Sequence, residues 1–175
     1  MSRINICPDL KEEISLIQIC KPIAPCLGKY TLIKTVLGDI PIHSLNVGDM
    51  ILNQDNDEIE IVNIQKTTRI VDNFNILGKN SLGKNIPNKN LIISDLHIVK
   101  HGNRMYLPRT SNKFKKLPSQ EIEFYHIETK NYINDWFTAN NLLVETFSSG
   151  EHISHLEERM KRIKKIKKNK NISCR

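Results

Sequence analysis

Between residues 26 and 147 the apolar side chains come in short runs, and no stretch repeats every three or four residues for long enough to build an amphipathic helix. Tyr30 to Val36, Met50 to Leu52, Glu58 to Ile64, Leu91 to Ile93 and Met105 to Leu107 are rich in β-branched or aromatic residues. Turn formers separate them: Gly38-Asp39, Gly48-Asp49, Asn53 to Asp57 and Gly102-Asn103. This spacing predicts an all-β domain built of hairpins. Leu32, Ile33, Ile42, Leu45, Ile51, Ile61, Ile92, Val99, Ile127 and Leu143 are its expected core. Asn73 to Asn90, polar and rich in Gly and Asn, reads as one long loop. In Phe124 to Phe147, alternation at Tyr125 and Ile127 and again at Leu142 and Val144 predicts two strands joined near Asn131 to Asp135. Asn140-Asn141 suits a tight turn, because Asn tolerates positive φ.

Segments of different texture flank this domain. Residues 1–25 form a leader in which Asp9-x-x-Glu12 suits a helix start, while Ile14, Leu16 and Ile19 suit a strand equally well; Pro22 and Pro25 end either element. Residues 148–175 read as a basic helix. Ser148-x-x-Glu151 and Ser154-x-x-Glu157 have capping-box spacing, and Ile153, Leu156, Met160, Ile163 and Ile166 make one apolar stripe. The formal net charge is +7, and residues 151–175 alone hold nine Lys or Arg against three acids, so the rest of the chain is nearly neutral. Two uses of the tail stay open. Its stripe can dock on its own domain, or Lys161, Arg162, Lys164, Lys165, Lys167 and Lys168 can make weak contact with nucleic acid.

The four cysteines, Cys7, Cys20, Cys26 and Cys174, lack C-x-x-C spacing, which argues against a zinc cage or a secreted disulfide framework. No apolar run approaches the roughly 20 residues that span a bilayer. Asp9, Glu12 and Glu13 stand where a signal peptide would need an apolar stretch. The expected location is therefore intracellular, in the cytoplasm.

Three places carry candidate chemistry. Cys26 follows Ala24-Pro25 where the β texture begins. A cysteine sulfur reaches the carbonyl carbon of the preceding residue through a five-membered ring and can turn that amide into a thioester, although a lone cysteine is also an ordinary small core residue. Ser94-Asp95-Leu96-His97 follows the run Leu91 to Ile93. This spacing brings a hydroxyl and an imidazole to one side of a strand end, where one can hold a peptide bond and the other protonate a leaving nitrogen; His101 is an alternative to His97. His126 lies within Phe124 to Phe147 with no obvious partner in sequence, which favours a packing role.

Taken in order, these places resemble the signature of the Hint domain, the module shared by inteins and Hedgehog autoprocessing domains. The opening block has its counterpart in Cys26, Thr31, Leu32, Ile33 and Gly38, followed by Pro41, Ile42, Leu45, Gly48 and Asp49 in the pattern P-I-x-x-L-x-x-G-D. Ser94 and His97 match T-x-x-H with a conservative serine. Phe137, Thr138, Ala139, Asn140 and Asn141 match F-x-A-N-G, with Asn in place of the usual Gly. The resemblance spans 26–147.

It implies a flattened β fold in which the opening cysteine and the final hairpin meet. It also implies that Cys26 is the nucleophile on the Pro25 carbonyl, that His97 protonates the departing nitrogen, that Ser94 orients that peptide, and that Thr31 and His126 support them. The substrate would be the chain's own N-terminal segment and the acyl acceptor water or a thiol; no metal or cofactor is implied. Splicing inteins end in His-Asn before a nucleophile, whereas this chain has Val144-Glu145-Thr146-Phe147. Cleavage without splicing is therefore expected, as in stand-alone Hint-type domains. The alternative keeps the fold without the chemistry, as a structural or interaction module associated with nucleic acid through its tail.

Overall fold

A computed structural model describes residues 25–146, 159–166 and 168. Among the described residues thirteen strands form: β1 (Leu27–Gly28), β2 (Leu32–Thr35), β3 (Gly38–Pro41), β4 (Met50–Leu52), β5 (Glu58–Val71), β6 (Phe74–Leu77), β7 (Leu91–Ser94), β8 (Val99–His101), β9 (Arg104–Tyr106), β10 (Lys115–Lys116), β11 (Gln120–Thr129), β12 (Trp136–Ala139) and β13 (Leu142–Glu145). They make two sheets, ordered β10-β6-β7-β1-β11-β5-β4 and β3-β2-β12-β13-β8-β9. All pairings are antiparallel. The expected all-β class and its construction from hairpins are both present.

The main core draws from both sheets. Leu27, Ile61, Leu91 and Ile93 of the first meet Ile33, Val99, Phe137, Leu142 and Val144 of the second. Seven of the ten expected core residues are buried; Leu32, Ile92 and Leu143 are half-buried. Their neighbours explain the difference. Ile33 points into the core, so Leu32 one residue away points out, and the same alternation separates Ile92 from Ile93. Leu143 instead packs against a second cluster containing Ile98 and Trp136.

The loop expected over Asn73 to Asn90 contains β6. Its four residues are too few for a periodic signal, but Phe74 and Leu77 are both buried, and β7 and β10 supply partners on either side. Strand β5 runs seven residues past the expected end at Ile64. Its polar second half is held by continuous pairing with β11, from Gln120↔Val71 to Ile127↔Ile64. The last third of the domain contributes β11, β12 and β13, with Asn140-Asn141 as the turn between the last two. Both turn residues have positive φ (48° and 65°), as a two-residue hairpin requires. Asn140 also stitches the hairpin in place. Its Oδ1 accepts from Leu32 N–H at 2.8 Å, and its Nδ2 donates to the carbonyls of Lys89 and Asn90.

β1 sits between β7 and β11, and Gly28 makes that possible. A Cβ built there would stand 2.8 Å from Cβ of Ile92, closer than two side chains can pack. The strand that begins one residue after Cys26 is thereby pressed into the middle of the first sheet.

The C-terminal helix is present over 159–166, and Met160, Ile163 and Ile166 bury against Ile98, Leu107 and Trp136. This is the docked arrangement of the apolar stripe. Lys161, Lys164, Lys165 and Lys168 are exposed. Arg162 departs from the expected basic face: it donates to the Ile133 carbonyl at 2.7 Å and lies over the Trp136 ring. Residues 1–24 of the leader, both capping boxes, Ile153, Leu156 and the side chain of Lys167 lie outside the described residues, as do Cys7, Cys20 and Cys174. Among the described residues no helix is long and apolar enough to cross a membrane.

Candidate functional site

The Pro25–Cys26 peptide enters the fold immediately before β1, so its two polar atoms must find partners among neighbouring strands. The Cys26 N–H donates to Oγ of Ser94 at 3.0 Å, and the Ser94 N–H returns a bond to the Cys26 carbonyl at 3.0 Å. On the other side, Nδ1 of His126 lies 2.9 Å from the Pro25 carbonyl oxygen. That oxygen can only accept, so Nδ1 carries the proton and donates. β7 supplies Ser94 at its last residue and β11 supplies His126 near its middle; these two strands flank β1.

After Ser94 the chain turns, with the His97 N–H donating to the Ser94 carbonyl at 3.2 Å, and this places the imidazole beside Cys26. Nδ1 of His97 is 3.4 Å from the Cys26 carbonyl and Nε2 is 2.9 Å from the Glu145 carbonyl. Both neighbours are acceptors, whereas a neutral imidazole has one N–H. Burial nevertheless pushes the pKa of His97 down to about 3, against the pull of those two carbonyls; the charges of Arg159 and His126 add to the depression. At neutral pH His97 is therefore uncharged and satisfies one carbonyl at a time.

Cys26 is 4% exposed and packs with Val71, Phe74, Ile122 and Phe124. Burial raises its thiol to about 12, and Arg69 opposes this only in part. The sulfur is a protonated thiol at neutral pH.

The expected residues thus divide. Ser94 and His126 converge on the Pro25–Cys26 peptide, and His97 sits on the next carbonyl, that of Cys26 itself. Thr31 does not touch it: Oγ1 and N–H both donate to the Gly28 carbonyl, at 2.8 and 3.0 Å, closing the turn after β1. His101 ends β8 opposite Arg104 and takes no part in these bonds. The group bonded to the amide nitrogen of Cys26 is Ser94, and His97 sits on the carbonyl of the same residue. Among the described residues no cluster of three or more His, Cys, Asp or Glu is arranged to hold a metal ion.

The sequence matches the Hint domain family over residues 25–151. The chain belongs to the Hint family.

Solved structures with the same fold include the Msm DnaB1 intein splicing domain, 12% identical with a TM-score of 0.53 and covering 69% of this chain and 99% of that one. A DnaB intein from Synechocystis sp. PCC 6803 is 12% identical with a TM-score of 0.51, covering 71% and 100%. A gp41-1 intein variant is 19% identical with a TM-score of 0.50, covering 70% and 99%. No curated protein matches the chain in sequence. At these identities the structural likeness concerns the fold.

Two members of the site in this Hint domain went unrecognised in the sequence. Glu145, 1% exposed at the end of β13, accepts from the Ile98 N–H at 2.9 Å and from Nε of Arg159 at 3.0 Å. Arg159, 5% exposed, belongs by sequence to the basic tail. An acid directly after the apolar run Leu142 to Val144 is the one available signal, since a buried carboxylate demands a buried cation.

Proposed function

We propose that this Hint domain cleaves its own chain between Pro25 and Cys26 through a thioester on Cys26, without splicing. The observation that carries the reading is the grip on both polar atoms of that peptide, His126 on the carbonyl oxygen and Ser94 on the amide N–H. A structural peptide needs only ordinary backbone partners; this one is held by two side chains capable of proton chemistry, next to a cysteine.

In the reaction the Cys26 sulfur attacks the Pro25 carbonyl carbon. Negative charge develops on the oxygen, where His126 Nδ1–H donates to it. The C–N bond then breaks, the Pro25 acyl group passes to sulfur, and the thiol proton ends on the freed amine of Cys26. Ser94 Oγ, already hydrogen-bonded to that nitrogen, is placed to relay the proton. His97, neutral by burial, acts by holding the Cys26 carbonyl, so that the residue pivots about a fixed point as its nitrogen leaves. The thioester is uphill from the amide, and water or a thiol completes the cleavage. The end Val144-Glu145-Thr146-Phe147 provides no asparagine to cyclise, which supports cleavage over splicing.

The deep burial and raised pKa of the thiol favour the rival reading, an inert Hint scaffold acting as a structural or interaction module. Intact mass of the full chain during incubation with hydroxylamine decides between them. Hydroxylamine traps the thioester, so wild type should lose residues 1–25 faster than in buffer, Cys26→Ala should stay full length, and Pro25→Gly should cleave faster by relaxing the acyl donor. Wild type and Pro25→Gly both remaining full length would leave the scaffold.

A further inference from the structure

The segment 96–98 is held at every residue by two residues from outside it, Glu145 and Arg159, through their charged groups at Leu96 and Ile98 and through the Glu145 backbone carbonyl at His97. Glu145 accepts the Ile98 N–H on its carboxylate at 2.9 Å, its own N–H donates to the Ile98 carbonyl at 3.2 Å, and its carbonyl faces Nε2 of His97 at 2.9 Å. Arg159 donates to the Leu96 carbonyl and, through Nε, to Oε1 of Glu145 at 3.0 Å. Arg159 comes from the C-terminal helix, after the last strand of the β domain. The pair is 5% and 1% exposed, and Nη1 of Arg162 adds a second cation 3.9 Å from Oε2 of Glu145. Hydrophobic packing of Met160, Ile163 and Ile166 would anchor the helix without any of these bonds. A buried ion pair costs desolvation and is rarely the most stable way to fill a core.

We infer that the C-terminal helix is part of the cleavage machinery: Arg159 and Glu145 are positioning residues that fix the His97 imidazole against Cys26. This deepens the autoprocessing reading and rests on it for the chemistry, but the positioning has its own observable. Arg159 reaches two acceptors from one planar guanidinium, the carboxylate of Glu145 and the carbonyl of Leu96, and lysine cannot reproduce that fork. Without it the Glu145 carboxylate loses its principal cation, and the loop carrying His97 loses one of its ties to β13.

The test uses the full chain, labelled with ¹⁵N, as wild type, Arg159→Ala and Arg159→Lys, with His97→Gln to assign the ring. Two readouts are taken: the His97 ring nitrogen shifts, which report its tautomer, and the rate of leader loss in hydroxylamine. Wild type should show one dominant His97 tautomer. Arg159→Ala should give tautomer-averaged shifts with the amide signals of 26–146 largely retained, and should slow leader loss on the order of 10²-fold, the usual cost of misplacing a reacting group by about 1 Å. Arg159→Lys should fall between the two. If Arg159→Ala does not fold, Arg159→Lys carries the test, with averaged shifts expected. Unmoved His97 shifts in a folded variant would overturn the inference. A wild type that loses no leader, with His97 shifts that still respond to Arg159, would remove the cleavage reading and leave the positioning standing.

Discussion

Cys26 and Ser94 are bonded in both directions: the cysteine N–H donates to the serine hydroxyl at 3.0 Å, and the serine N–H donates to the cysteine carbonyl at 3.0 Å. The backbone half of this exchange extends the β1–β7 pairing and survives any substitution of Ser94 that keeps its N–H. The side-chain half does not.

Ser94→Ala therefore leaves the Cys26 N–H buried without its acceptor. The expected cost is about 1–3 kcal/mol, read as a lower urea midpoint at unchanged slope. If Ser94 relays the proton, hydroxylamine-driven cleavage slows as well, by about 10² or more. A loss of stability with an unchanged cleavage rate would assign Ser94 to structure alone.

His126→Ala removes the donor on the Pro25 carbonyl. Removing one such donor from a developing oxyanion typically costs roughly 10² to 10³ in rate. The readout is the hydroxylamine rate of the variant relative to wild type, with Cys26→Ala as the zero. A rate within a factor of about three would place the oxyanion elsewhere.

His97 makes stability depend on pH. Its folded pKa is depressed to about 3 from an ordinary 6.5, so the folded state binds the proton less tightly than the unfolded chain. The contribution is complete above pH 6.5 and is lost as pH falls from there toward 3. With one pKa unit equal to about 1.4 kcal/mol, the loss at pH 5 is about 2 kcal/mol. Denaturant titrations at pH 7 and pH 5 should show a drop of that order in wild type and a smaller drop in His97→Gln. Equal drops would mean that His97 is not held neutral.

Among the described residues of the helix, the exposed lysines are the candidates for nucleic-acid contact. Lys161, Lys164, Lys165 and Lys168 face solvent, whereas Arg159 and Arg162 are engaged inward. Four phosphate contacts would give a slope of log affinity against log salt of about −4, with little sequence preference. Charge reversal of these four lysines to Glu should strongly weaken duplex binding measured at low salt. Binding that persists unchanged would put the site elsewhere.

The strand texture was legible because hairpins of this size leave their turns in the sequence; Gly38, Gly48 and Asn140-Asn141 all sit at turns with positive φ. β6 was hidden because four residues carry no period, and the second half of β5 because polar residues take strand geometry only when β11 lies beside them. The site was legible in the same uneven way. Cys26 and Ser94-x-x-His97 stand out by position and spacing. For His126 the resemblance implies a supporting role, but the sequence gives no sign of its partner, which is a backbone atom 101 residues away. Arg159 was masked by its company: among lysines, a buried arginine looks like one more surface charge.

The contacts around the Pro25–Cys26 peptide close long loops, 68 residues to Ser94 and 101 to His126. Contacts of such separation form late, because the entropy of closing so long a loop is lost before the contact stabilises anything. A ribosome releases residues 25 and 26 long before it releases 126, 145 or 159. Until residue 126 has emerged the bond lacks the donor on its carbonyl, and until 145 and 159 follow, His97 and its loop lack the groups that hold them. On the autoprocessing reading, cleavage would be timed by the last strand and the helix to dock, and the leader would stay attached for as long as the domain remained unfinished.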